Sequence, residues 1–168
     1  HDVVARLLRE NQKWWNQKRL QAAANLGLTP REVVTLASIV QEETARLDEA
    51  PRVAGLYLNR LNKGMLLQAD PTLKFALDDW GIQRLLDKDK LVVSPYNTYL
   101  NPGLPPGPIR VPEPTYIDAV LQAEKHNYLY MCAKPDGSGK HAFASQYADH
   151  LRNARKWQNM LNREQIYR

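Results

Sequence analysis

From Asp2 to about Asn25 the apolar residues Val3, Val4, Leu7, Leu8, Trp14, Trp15, Leu20 and Ala24 recur at near-helical spacing among Arg, Lys, Gln and Asn. This pattern predicts a surface helix with one apolar side. Gly27 stops it, and Thr29, Pro30 and Glu32 restart one as N-cap, first helical position and third position, a capping box. In the helix that follows, Val33, Leu36, Ala37, Val40 and Leu47 fall within one sector roughly 100° wide, the width of a core-facing stripe. That helix runs through Thr35–Thr44 and either continues or breaks near Asp48. Pro51 opens the next, carrying Val53, Ala54, Leu56, Tyr57, Leu58 and Leu61 and closing at Gly64, which suits the left-handed C-cap.

Met65-Leu66-Leu67-Gln68 is too short for a helix and reads as extended. Asp70-Pro71 then gives an N-cap and a first helical position for a helix to about Leu77. A short helix around Ile82–Leu86 and a solvated charged connector at 87–90 follow. Between Ser94 and Pro108, proline at five positions fixes φ and removes donors, so the stretch is a rigid turned loop. A helix starts at Pro112–Thr115. Tyr128–Ala133 is the clearest strand, and Asp136-Gly137-Ser138-Gly139 turns it back into Lys140–Phe143. From Ser145 to Asn162 a basic helix buries Tyr147, Leu151, Ala154, Trp157 and Leu161. The class is α+β, helix-rich, with a short β-hairpin or small sheet.

Length and composition add bounds. At 168 residues with 43% hydrophobic content, one compact domain is the default. A net charge of +5 favours an acidic partner, but no dense Lys/Arg run points to nucleic acid. The single cysteine, Cys132, excludes an internal disulfide and any multi-cysteine metal site, and its apolar neighbours suggest a buried thiol. No stretch reaches the roughly 20 apolar residues that a membrane span needs.

Candidate chemistry starts from the two adjacent glutamates. Measured from the stripe's centre, Glu42 points about 150° away into solvent, whereas Glu43 lies about 50° off, where the apolar face meets an opening. Desolvation there raises a carboxyl toward the range of a general acid. The competing reading has Glu43 capping a neighbour or pairing with Arg52 or Arg60. Trp14 and Trp15 anchor the first helix or grip a sugar ring. Tyr96, Asn97 and Tyr99 on the rigid loop suit sugar recognition, since rings cover a saccharide's apolar faces and amides bond its hydroxyls. Asp70 is a helix cap or a second carboxylate. His141 alone reads as a surface histidine, and with Cys132 it lacks the third group of a nucleophilic triad.

Together these residues resemble the MltG-type (YceG-like) endolytic murein transglycosylases. The matching pieces are Leu36–Val40 with Glu42-Glu43-Thr44, Asn59-Arg60-Leu61 with Gly64-Met65, Leu67–Thr72, Tyr96–Tyr99, Gly103–Ile109, and His141-Ala142-Phe143 with His150. They stand in order over roughly residues 28 to 162. The resemblance implies a catalytic domain at 28–168 beside a substrate groove, with residues 1–27 a helix leading in from an upstream region. It implies cleavage of the β-1,4 bond between N-acetylmuramic acid and N-acetylglucosamine, leaving a 1,6-anhydromuramyl end. Glu43 aligns with the acid/base; Gln68, Asp70, Asn97, Tyr99 and His141 position the glycan or bond to Glu43. No metal and no cofactor are implied. The implied partners are peptidoglycan strands and peptidoglycan synthases, with no nucleic acid.

The sequence departs from the family pattern at Ala69, where many relatives have a hydroxyl residue, and at Gln41, where many have an acid. The family's N-terminal membrane helix and much of its LysM-like region are not in this sequence. The resemblance implies an intact protein anchored in the inner membrane, with this domain facing the periplasm and cell wall. Two rivals stand beside the transglycosylase: a muramidase that hydrolyses the same bond with a second carboxylate, and a non-catalytic glycan-binding module.

Overall fold

The structure is a computed structural model and describes residues 2–164. Among the described residues it has seven α-helices, one 3-10 turn and a two-stranded antiparallel sheet. The helices are α1 (Asp2–Trp14), α2 (Gln17–Asn25), α3 (Pro30–Glu43), α4 (Ala50–Asn62), α5 (Asp70–Leu77), α6 (Pro114–Leu121) and α7 (Tyr147–Arg163). The strands are β1 (Tyr130–Ala133) and β2 (His141–Ala144). None of these helices is long and apolar enough to cross a membrane.

Helix α3 is the centre. Its capping box forms as read: Thr29 accepts from the Glu32 amide and Glu32 accepts from the Thr29 amide at 2.8 Å. From Thr35 to Val40 every residue is buried, Ile39 included, because α4, α5 and α6 pack around the helix. The apolar surface is therefore wider than one stripe, as expected of a helix enclosed on several sides. Its buried hydroxyls are satisfied within the fold. Ser38 donates to the Thr35 carbonyl at 2.7 Å and accepts the Ile109 amide at 3.0 Å, tying α3 to the end of the proline-rich loop.

The helix ends at Glu43, since Thr44 turns to an extended conformation. Leu47 thus lies beyond it and is 51% exposed, outside the stripe assigned to it. Helix α4 approaches the segment after α6 so closely at Gly55 that a Cβ there would sit 2.2 Å from the Glu124 carbonyl oxygen.

Three further elements differ from the sequence pattern. The N-terminal helix is two helices, because the Asn16 side chain accepts the Arg19 amide at 3.0 Å and caps α2, breaking a period that the apolar residues alone continue. Trp14 and Trp15 meet edge to face and pack against the core, while Val3, Val4, Leu7 and Leu8 remain exposed. No α-helix forms around 82–86. Buried Asp89 accepts the Leu86 amide at 2.8 Å, so the 87–90 segment is anchored rather than fully solvated. On α7 only Leu161 is buried, and Tyr147 and Leu151 of the expected inner face are exposed.

The hairpin pairs Tyr130 with Ala144, Met131 with Phe143, Cys132 with Ala142 and Ala133 with His141. Packed under α7, it forms the wall opposite α3, α4 and α5. The space between these walls is the groove.

Candidate active site

The groove is a cavity of about 480 Å³, within the size range of ligand sites. Helices α3 to α5 contribute Glu43, Tyr57, Asp70 and Lys74, and the opposite wall contributes Tyr130, His141, His150 and Trp157. Gln68 and Tyr99 line the groove from the connecting segments.

Glu43 is the last residue of α3 and is half-buried. The Tyr57 hydroxyl donates to its Oε1 at 2.5 Å. Loss of water, reinforced by the negative charge of Asp70, pushes the Glu43 carboxyl up to about 8, against the opposing pull of the Tyr57 hydrogen bond and Lys74. It is therefore mostly protonated at neutral pH. The guanidinium pairing weighed for it does not form. Arg52 pairs with Glu124 at 3.1 Å, and Arg60 donates to the Leu129 and Leu66 carbonyls at 2.6 and 2.7 Å. Glu42 is the one that takes an arginine, Arg110, at 2.5 Å. Burial and the neighbouring carboxylate hold the Tyr57 phenol well above its ordinary value, so it stays a donor.

Asp70 opens the first turn of α5 and faces the groove, where Tyr99 donates to its Oδ1 at 2.6 Å. The surrounding wall still removes enough water to raise its carboxyl, opposed by Tyr99, Lys90 and Lys74. Asp70 does not cap α5; residue Ala69 holds that position, without a side-chain bond.

Gln68 has φ of 51°, the left-handed region that a side chain rarely occupies. Its backbone N–H donates to the Thr98 carbonyl at 3.1 Å, and its side-chain Oε1 lies 3.4 Å from Arg60 Nη1. Next to it, the Thr98 hydroxyl accepts the Ala69 amide and bonds Thr72, a buried knot that enforces the strained turn.

Asn97, expected among the sugar contacts, is placed elsewhere. It is completely buried beneath the loop and does not line the groove. Its amide donates to the Lys90 and Val92 carbonyls at 2.9 and 2.8 Å and accepts the Tyr99 amide at 2.9 Å. It thereby shapes the turn that presents Tyr99. Tyr96 packs on Phe75, ring centroids 4.6 Å apart, also away from the groove lining.

His141 is neither an open surface residue nor a partner of Cys132. Its Nδ1 lies 2.8 Å from Glu49 Oε2, and its backbone amide donates to Glu49 Oε1 at 2.9 Å. Glu49 is buried just before α4 and has the Thr44 hydroxyl 3.4 Å away. Sequence reasoning did not single out Glu49 or Lys74, named Arg60 as a partner for Glu43 and within a family-matching piece, and named Tyr57 only as part of an apolar face. For Tyr57 a signal existed: it falls on the same apolar face of α4 as Val53 and Ala54, with a hydroxyl that burial obliges to find a partner. Among the described residues no three His, Cys, Asp or Glu side chains are grouped as a metal site needs.

A half-buried carboxyl held mostly protonated at the end of a buried helix faces this groove, and such a group is chemically able to give up a proton there. The model of the YceG-like family matches residues 1–156. The chain belongs to the YceG-like family. It is 33% identical over 136 residues to the endolytic murein transglycosylase of Bacillus subtilis (strain 168), covering 81% of this chain and 37% of that protein. It is 35% identical over 130 residues to the endolytic murein transglycosylase of Streptococcus pneumoniae serotype 2, covering 75% and 23%. A YceG-like protein from Listeria monocytogenes, solved by crystallography, superposes with a TM-score of 0.72 at 35% identity, covering 79% of this chain and 42% of that one. This YceG-like chain thus spans well under half the length of the relatives it matches.

Proposed function

We propose that this YceG-like domain is an endolytic lytic transglycosylase of peptidoglycan that cleaves the bond between N-acetylmuramic acid and N-acetylglucosamine and leaves a 1,6-anhydromuramyl end. The observation that carries the reading is Glu43, whose carboxyl is held near 8 beside an open groove and fixed by Tyr57. The names of the Bacillus and Streptococcus relatives support the substrate class.

In the first step Glu43 protonates the departing glycosidic oxygen. Tyr57 occupies Oε1, so Oε2 carries the transferable proton. The carboxylate left behind takes the proton of the muramyl 6-hydroxyl as that oxygen attacks the anomeric carbon. The proton lost by Glu43 is thereby recovered, and no water is consumed. Two carboxylates are the ordinary requirement of a glycosidase, but an internal hydroxyl removes the need for the second, and its proximity supplies much of the rate. Tyr57 stabilises the Glu43 carboxylate while it exists. Gln68, Asp70, Tyr99 and His141 position the glycan from the groove walls, and Asn97 acts through the loop that carries Tyr99.

Asp70, a second carboxylate in the same groove, favours one alternative: a hydrolase in which Asp70 activates water. Mass analysis of digested, uncrosslinked glycan strands separates the two. Anhydromuramyl ends that vanish in Glu43→Gln support the transglycosylase; reducing muramyl ends from the wild type support the hydrolase. Glycan binding without cleavage by either protein would leave only a binding module. Because the substrate is cell-wall polymer, the reading also places the domain on the periplasmic side of an inner-membrane anchor. Protease accessibility in spheroplasts tests that placement, and protection of the domain would contradict it.

A further inference from the structure

The Glu49–His141 pair lies outside the proton-transfer scheme above, yet it is built more firmly than a surface ion pair. Three donors converge on one buried carboxylate: the His141 backbone amide on Oε1, and His141 Nδ1 and the Thr44 hydroxyl on Oε2. The contact joins residues 92 apart in sequence, and Thr44 directly follows Glu43. An ionised carboxylate only accepts, so the imidazole proton must sit on Nδ1. In the neutral imidazole Nε2 then carries a lone pair. His141 lines the groove, and its Nε2 is not among the buried side-chain atoms left without a partner.

We infer that Glu49 is a positioning residue that fixes the Nδ1–H tautomer of His141, so that His141 Nε2 accepts a hydrogen bond from a hydroxyl or acetamido N–H of the bound glycan. The acceptor role rests on the proposed glycan substrate; the tautomer does not. The backbone amide and Nδ1 meet different oxygens of Glu49, and in glutamine the one kept for the backbone amide leaves an NH2 group facing Nδ1. That amide N–H donates to Nδ1, which moves the imidazole proton to Nε2 and turns the groove-facing acceptor into a donor. The expected loss is that of removing a group that orients another, about tenfold or more in kcat/KM.

Two measurements test this. Long-range proton–nitrogen NMR on histidine-labelled protein at alkaline pH reads the tautomer, with the His141 signal assigned by its loss in His141→Ala. Nδ1–H in the wild type supports the inference; Nε2–H or an even mixture overturns it. In Glu49→Gln the signal should change to Nε2–H, and an unchanged tautomer overturns the inference. In the kinetic arm, Glu49→Gln lowers kcat/KM about tenfold and His141→Ala about thirtyfold, and the double variant is no worse than His141→Ala. Independent, multiplying losses would show Glu49 acting structurally and overturn the claim. If the wild type makes no anhydromuramyl ends, the functional reading fails while the tautomer result stands.

Discussion

Replacing Glu43 by glutamine should make the protein more resistant to unfolding at alkaline pH. In the unfolded chain Glu43 loses its proton near 4.5, whereas in the folded protein it holds it to about 8. Between these values the native state binds more protons than the unfolded state, so wild-type stability falls as pH rises. The slope approaches about 1.4 kcal/mol per pH unit, and the full interval corresponds to about 5 kcal/mol. Because the carboxyl borders an open groove, solvent screening reduces the expected total to about 2–3 kcal/mol. The amide is neutral throughout, nearly isosteric, and still accepts from Tyr57. Asp70 titrates in both proteins and cancels from the difference. Urea unfolding from pH 5 to pH 9 should therefore give curves that nearly coincide at the acid end and separate steadily, with Glu43→Gln more stable by about 2–3 kcal/mol at pH 9. A difference that stays flat across this range, or that opens in favour of the wild type, would refute the claim that the fold holds this carboxyl in its protonated form.

Asn97→Ala removes three hydrogen bonds from a completely buried amide and leaves the Lys90 and Val92 carbonyls unpaired. It should cost about 2–4 kcal/mol in urea unfolding; a loss of glycan affinity at unchanged stability would instead mark it as a sugar contact. Gln68→Gly keeps the turn and relieves the positive φ, so it should unfold about 1 kcal/mol less readily than Gln68→Ala. Both variants should show the same reduced glycan affinity in titration calorimetry, and wild-type affinity in either would exclude the side chain from the site. Glu42→Gln breaks only the partly exposed contact to Arg110 and should change both stability and turnover little, by less than about 1 kcal/mol; a loss of turnover as deep as that of Glu43→Gln would reverse the assignment of the two acids.

Local physics was legible where one stretch of chain decides the outcome. The capping box at Thr29 and Glu32 starts α3, Gly64 follows α4, and a glycine-rich turn joins the two strands. Helical phase alone separated Glu43 from Glu42, and the structure places the first against Tyr57 and the second against Arg110. What escaped is decided by distant partners. Glu49 looks like a solvated acid ahead of a helix until β2 delivers His141 onto it. Arg60 looks like an ordinary surface arginine until the carbonyls of Leu66 and Leu129 enclose it. Asn97 has the residue type of a sugar contact, but its amide is consumed by the loop's own carbonyls. At Asn16 a single capping side chain interrupts an apolar period that continues on both sides.

The most direct test of the central claim is mass analysis of the products released from uncrosslinked glycan strands by wild type and Glu43→Gln side by side. The account predicts 1,6-anhydromuramyl ends from the wild type and a fall of at least about a thousandfold in their rate of formation in the variant, with strand binding retained. Anhydromuramyl ends formed at equal rates by both proteins would contradict it.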